Sequence, residues 1–295
     1  MTANEPDASL VVTLPSPLVA LHDDRLAPHG IRVHLKRDDL VHPELPGNKW
    51  RKLKYNLAAA REQGHTRLLT FGGAYSNHLR AVAAAGHHYG FETVGAVRGE
   101  EHQPLNDSLA YAVSRGMRLT YLDRTTYRRK TEPDVLARLT DEFGPCYVVP
   151  EGGSNGLGVR GCAELPAEID TDFDVICCAC GTGTTLAGIA AGLTGDQRAL
   201  GFAVLNGGRF LDDEVRHLQQ EAFGRDTGNW AIDYDFPFRG YAKRTPELDA
   251  FTRDFKARHG ITLDWVYEAK MMYGLFERIA SGAFPPGTTV VAVLS

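Results

Sequence analysis

Residues 173–193 read FDVICCACGTGTTLAGIAAGL, and the reading of this stretch decides the fold. An apolar run (173–180) stops at Gly181-Thr182-Gly183-Thr184-Thr185, after which Leu186, Ile189, Ala190 and Leu193 recur at helical spacing. A strand, a glycine-rich turn and a helix make the first half of a βαβ unit. The same rhythm extends outward. RLLTFG (67–72), FETVGAVR (91–98), RLTYL (118–122) and CYVVP (146–150) come before it, ALGFAVL (199–205) and TTVVAVL (288–294) come after, and amphipathic segments lie between them. This alternation predicts an α/β protein with parallel sheets. No internal repeat or low-complexity tract interrupts it, and no long linker separates two halves.

Three strand-to-helix corners carry candidate chemistry. At 181–185 the glycines permit close backbone approach, the threonines add hydroxyls, and a helix N-terminus favours an anion, so the corner reads as a phosphate cradle. It lacks the third glycine of G-x-G-x-x-G and the lysine of a Walker loop, which lowers a nucleotide enzyme in rank. In FGGAYSNH (71–78) two glycines end a strand, and small polar residues open a helix bearing Leu79, Val82, Ala83 and Gly86. An ordinary capped turn is the plain alternative there. In PGNKWRK (46–52) a helix is expected to open at Asn48 as N-cap, with Trp50, Leu53, Leu57 and Ala60 on one face and Lys49 in the first turn. A lysine on a helix is ordinarily a solvated charge. At such a corner it becomes a candidate for chemistry.

Bulk composition narrows the class. With 295 residues and 43% hydrophobic content the chain can bury a sizeable core. Its 32 basic and 37 acidic residues, net charge -5, offer no positive field to nucleic acid or anionic lipid, so a small-molecule partner is expected. No apolar run reaches the roughly 20 residues of a membrane span, and MTANEPDASL does not read as a secretory signal, which makes the cytoplasm the expected compartment. Three of the five cysteines fall at Cys177, Cys178 and Cys180, where neighbours on a strand face opposite ways. Buried thiols, not a metal site, are expected.

Six blocks taken together resemble the 1-aminocyclopropane-1-carboxylate (ACC) deaminase and D-cysteine desulfhydrase family of pyridoxal-phosphate (PLP) enzymes, fold type II and tryptophan-synthase-β-like. They are LKRDDL (35–40), GNKWRKLKY (47–55), GGAYSNHLRA (72–81), PEGGSNGLG (150–158), CGTGTTLAG (180–188) and VYEAKMMYGL (266–275), in family order. The resemblance runs from about residue 13 to the last. It implies two three-layer αβα domains with parallel-rich sheets and the cofactor in their cleft. Residues 1–47 with 157–295 would form the large PLP-binding domain and 48–156 a small inserted α/β domain. It also makes Lys49 the Schiff-base lysine, Asn77 the side chain beside the ring hydroxyl, Ser76 a substrate-facing hydroxyl and Gly181, Thr182, Gly183, Thr184 and Thr185 the phosphate loop. Tyr267 matches an active-site tyrosine and Tyr241 a second one. Glu268 would sit against the pyridine nitrogen, keeping it protonated and deepening the electron sink. A homodimer is expected.

On substrate the resemblance divides. Family deaminases carry Glu after the VY tyrosine, as Glu268 does here; desulfhydrases carry a small hydroxyl residue at the end of the last strand, the position to which Ser295 aligns. The SNH of 76–78 also leans to the desulfhydrases. The favoured expectation is β-elimination from D-cysteine to pyruvate, ammonia and hydrogen sulfide, with ACC ring opening to 2-oxobutanoate and ammonia as the alternative. A PLP-binding protein without turnover is a third reading, since the family's glycine-rich turn after the final strand has no counterpart before the sequence ends at Ser295.

Overall fold

The computed structural model describes residues 12–295. Among the described residues the strands are β1 (Leu18–Leu21), β2 (Arg32–Arg37), β3 (Arg67–Gly73), β4 (Glu92–Arg98), β5 (Met117–Leu122), β6 (Tyr147–Val149), β7 (Val175–Cys180), β8 (Arg198–Ala203), β9 (Trp230–Asp233) and β10 (Thr289–Leu294). The α-helices are α1 (Gly47–Glu62), α2 (Asn77–Tyr89), α3 (Asp107–Ser114), α4 (Arg124–Arg128), α5 (Pro133–Phe143), α6 (Gly156–Cys162), α7 (Thr184–Gly192), α8 (Phe210–Phe223), α9 (Pro246–His259) and α10 (Glu268–Ala280). The expected α/β alternation is present.

The chain divides into two compact units, one comprising His42–Ser154 and the other Thr13–Val41 with Asn155–Ser295. In the first, four parallel strands run in the order β5-β4-β3-β6. Successive residues of β3 serve opposite faces: Leu68 packs with Leu53, Leu57, Val82 and Ala85 from α1 and α2, while Leu69 and Phe71 pack with Val135 and Leu139 of α5. The expected apolar face of α1 is present at Leu53, Leu57 and Ala60, all buried.

In the second unit six strands run in the order β1-β2-β10-β7-β8-β9, parallel except for β1. All six residues of β10 are buried, as a central strand covered on both faces requires. Val290, Ala292 and Leu294 join one core with Met271, Met272 and Leu275 of α10; Val291 and Val293 join another with Leu186 and Ile189 of α7. The cysteines follow the same period. Cys177 faces the first core and Cys178 and Cys180 the second, all buried, and burial pushes the Cys177 thiol well up.

Candidate active site

In the first unit, α1 starts two residues earlier than the sequence suggests. Pro46 occupies the N-cap with extended backbone (φ −60, ψ 137) and no side-chain cap, and its carbonyl accepts the Lys49 N–H at 2.8 Å. Asn48 is therefore not the cap; it is the second helical residue. A proline is tolerated there because a helix start needs no N–H from it. Lys49 lies in the first turn, half-buried.

The start of α2 is built differently. Ser76 is its N-cap, and Oγ accepts the N–H groups of His78 at 3.2 Å and Leu79 at 3.3 Å. Its lone pairs serve the helix, so toward a ligand this hydroxyl acts only as a donor. Asn77 follows, exposed in the first turn. Beneath them His78 is buried, with Nε2 at 2.8 Å from Thr70 Oγ1, which itself donates to the Val149 carbonyl at 2.8 Å. With that one hydroxyl hydrogen committed to Val149, the ring is the donor at Nε2. Burial first, then the charges of Lys49 and Lys52, holds His78 well below the usual imidazole range.

In the second unit, β7 runs into the 181–185 turn. Gly183 is the N-cap of α7 in the left-handed region (φ +79), and no side chain caps this helix. A Cβ at Gly183 would lie 2.9 Å from Val215 Cγ2, and one at Gly181 would lie 3.1 Å from Tyr267 Cε1. Only glycine fits either position without displacing a neighbour. Thr182 and Thr184 bring their hydroxyl oxygens within 3.2 Å of each other, while Thr184 and Thr185 are buried.

The start of α10 gathers the remaining candidates. Tyr267 is its N-cap and Glu268 its first residue. The Tyr267 hydroxyl donates to the Tyr241 hydroxyl at 3.1 Å, and the rings meet edge-on at 5.9 Å. Glu268 is buried; its oxygens accept the N–H of Asp264 at 2.9 Å and of Ser295 at 2.5 Å. Burial is the largest influence on this carboxyl and, with the nearby charges of Asp264 and Asp39, pushes it up to about 8 against the pull of those two donors. Lys270, one turn along, is buried with Nζ on three backbone carbonyls, and burial lowers it to about 8. Nothing in VYEAK marks Lys270 for a role, because its partners are carbonyls, which leave no trace in a sequence.

The structure thus groups Lys49, Ser76 and Asn77 in one unit, and Gly181 to Thr185, Tyr241, Tyr267, Glu268 and Ser295 in the other. Comparison with known proteins gives the arrangement its context. A Pyrococcus horikoshii protein, itself only provisionally named a 1-aminocyclopropane-1-carboxylate deaminase, is 32% identical over 86% of this chain and 81% of its own. The bifunctional D-cysteine desulfhydrase/1-aminocyclopropane-1-carboxylate deaminase of Arabidopsis thaliana, named as mitochondrial, is 31% identical over 85% of this chain and 68% of its own. The crystal structure of an ACC deaminase homologue superposes with a TM-score of 0.85 at 29% identity, covering 96% of this chain and 90% of that one. The sequence model described as "pyridoxal-phosphate dependent enzyme" matches residues 12–295. With the family matched along the whole described chain, and with buried carboxyl, tyrosine pair and glycine-threonine loop in one fold unit, this protein belongs to the pyridoxal-phosphate dependent enzymes.

Proposed function

We propose that this PLP-dependent lyase releases ammonia from a small amino acid, with D-cysteine as substrate, cleaved to pyruvate, ammonia and hydrogen sulfide. The observation that supports an ammonia-releasing lyase is the start of α10, where Glu268 is buried beside Ser295 and Tyr267 meets Tyr241. Ser76-Asn77-His78 and Ser295 favour D-cysteine, and the name of the Arabidopsis relative includes that activity. Glu268 favours the second reading, ring opening of ACC to 2-oxobutanoate and ammonia. A homodimer in the cytoplasm is the proposed setting; among the described residues no helix is long and apolar enough to cross a membrane.

The residues fit the cofactor on two observations. A buried carboxyl raised to about 8 holds its proton at neutral pH, and a pyridine nitrogen is a base able to take it and leave an ion pair. The 181–185 corner has an uncapped helix start reached through glycines that exclude Cβ atoms, and the first N–H groups of a helix have no intrahelical acceptor, which suits a phosphate. Bound there, PLP supplies an electron sink for negative charge at the substrate α-carbon.

The chain's own residues then divide the work. Lys49 would hold the cofactor's aldehyde carbon, Asn77 its ring hydroxyl, and Gly181 to Thr185 its phosphate. Glu268 would stand against the ring nitrogen as a carboxylate and keep that nitrogen protonated. Ser76 would donate toward the substrate carboxylate. Lys49, or a group near it, would take the α-proton of D-cysteine as thiolate departs. ACC has no α-proton, so a base must act at a ring methylene or a nucleophile must add, with Tyr267 a participant.

Borohydride reduction of the PLP-treated protein, followed by mass mapping, is the test. A pyridoxyl group on Lys49 is expected; a label on Lys52 or Lys54 alone, or none, refutes the cofactor assignment. Measuring kcat/KM for D-cysteine and for ACC then chooses the substrate. A labelled protein inert toward both would point to another amino acid or to PLP binding without turnover.

A further inference from the structure

The loop that brings Tyr241 to Tyr267 is unusual in its backbone. Phe238 (φ 48), Arg239 (φ 66), Gly240 (φ 108) and Ala242 (φ 51) all lie in the left-handed region, which non-glycine residues populate rarely and hold only when their surroundings enforce it. Within the loop, Gly240 N–H reaches the Pro237 carbonyl at 3.0 Å and Lys243 N–H the Gly240 carbonyl at 3.2 Å. Two short local bonds give weak grounds for three strained residues. A stronger constraint comes from outside the loop.

Lys270 Nζ lies 2.9 Å from the Pro237 carbonyl oxygen, 2.8 Å from that of Gly240 and 3.0 Å from that of Val204. An ammonium has three N–H donors and no acceptor, so three converging carbonyls satisfy it completely. Charge-assisted bonds of this kind are roughly twice as strong as neutral ones. The side chain is fully buried, and its contacts with the Val204 and Gly240 carbonyls are shielded from water. Val204 in turn donates its N–H to the Cys180 carbonyl at 3.1 Å, next to the 181–185 turn. One side chain therefore ties three pieces: the first turn of α10 with Tyr267 and Glu268, the loop carrying Tyr241, and the end of β8 beside the turn after β7.

We propose that Lys270 is a positioning residue of the active site, whose ammonium fixes the 237–241 loop so that the Tyr241 hydroxyl stands against that of Tyr267. It touches no substrate itself and acts through Tyr241. The proposal rests on the reading of the two tyrosines as active-site residues. It adds the device that sets their separation. Lys270→Met, close in length and apolar, removes all three donors and leaves the carbonyls of Val204, Gly240 and Pro237, the first two in buried contacts, without them. The loop then has little reason to keep its left-handed residues.

The test joins two measurements on the PLP-loaded protein. In Lys270→Met, trypsin should cut after the exposed Arg239, Lys243 or Arg244 at least tenfold faster than in wild type, with the melting transition still cooperative. Turnover of the better substrate should fall on the order of a hundredfold in kcat, as expected for a misplaced catalytic group, with KM changed far less. In a Tyr241→Phe background the same substitution should lower kcat by no more than about threefold, because the group it positions is already gone. A lysine serving stability alone would lower kcat equally in both backgrounds, and that result overturns the proposal. So does an unchanged cleavage pattern. If Lys270→Met fails to fold, Lys270→Arg, which keeps the charge in a planar fork, carries the same comparison with smaller effects. Faster cleavage with undiminished turnover would instead leave the tie standing and remove Tyr241 from the site, so failure of this inference is separable from failure of the functional reading.

Discussion

The corners at β3–α2 and β7–α7 look alike in sequence, each a strand, a pair of glycines and a small polar opening to a helix, yet they finish differently. At α2 the Ser76 side chain takes two of the first N–H groups. At α7 no side chain does so, and Gly183 turns the backbone through the left-handed region instead. The capped corner has committed the N–H groups of His78 and Leu79 to Ser76 and has fewer backbone donors left for a ligand. An uncapped one keeps its donors and the positive end of the helix dipole for an anion. The difference separates a corner suited to a ring or carboxylate from one suited to a phosphate.

The most severe challenge to this contrast comes from the start of α1, which follows no strand directly, also lacks a side-chain cap and carries an amine, Lys49, in its first turn. If that amine is the cofactor-linking one, Lys49→Ala should lower turnover by on the order of 10³-fold or more, with the melting temperature within about 4 °C of wild type, since a first-turn lysine adds little packing. Comparable turnover in the variant would assign the chemistry to another residue. Next in size is Gly183→Val. The added side chain meets Val215 and cannot easily adopt φ +79, so PLP affinity measured by fluorescence titration should fall at least tenfold, about 1.4 kcal/mol. An unchanged affinity would place the phosphate elsewhere.

Ser76→Ala sharpens the contrast from the other side. Loss of a cap costs about 1 kcal/mol of stability in urea unfolding, whereas PLP affinity should stay within about twofold; a large loss of affinity would mean that the capped corner also holds the phosphate. The smallest effect concerns Glu268. Its carboxyl stands at about 8 in the folded chain against an ordinary 4.5, so between those values the folded state holds a proton that the unfolded state has released. Stability of the cofactor-free protein therefore falls as pH rises from 4.5 to 8. Glu268→Gln should flatten that part of the melting profile by a few degrees. An identical slope in both proteins would show that the side chain is not the buried acid described.

Much of this was legible beforehand, for reasons visible in particular residues. The runs at 67–72, 91–98, 118–122, 173–180, 199–205 and 288–294 are β-rich and apolar, and each overlaps an observed strand to within two residues at either end. β2 escaped notice as a strand because RVHLKR is half polar. Its Lys36 is nevertheless buried, held by the Ser16 carbonyl at 2.6 Å and by Glu168 at 3.3 Å. β9, four residues long, offered too little pattern to read. The start of α1 was misplaced because asparagine is the commoner cap, although a proline two residues before it already marked the boundary. The glycines of the 181–185 turn were readable as a place of close backbone approach, and at Gly181 and Gly183 a Cβ would crowd Tyr267 and Val215. The fixing of Tyr241 could not be foreseen, since backbone carbonyls are the same at every position and only folding decides which three of them converge on a lysine.

The burial of β10 between β2 and β7 bears on how the protein comes into being. A ribosome delivers both β2 and β7 before the strand that must lie between them. Until then β2 and β7 lack the neighbour they share, and the facing backbone edge of each waits unpaired in solvent or against a chaperone. The His42–Ser154 unit, whose four strands follow one another without such a gap, can fold while synthesis continues. Nascent-chain arrest ahead of residue 289 should therefore leave a protease-resistant small unit attached to a sheet that has not closed.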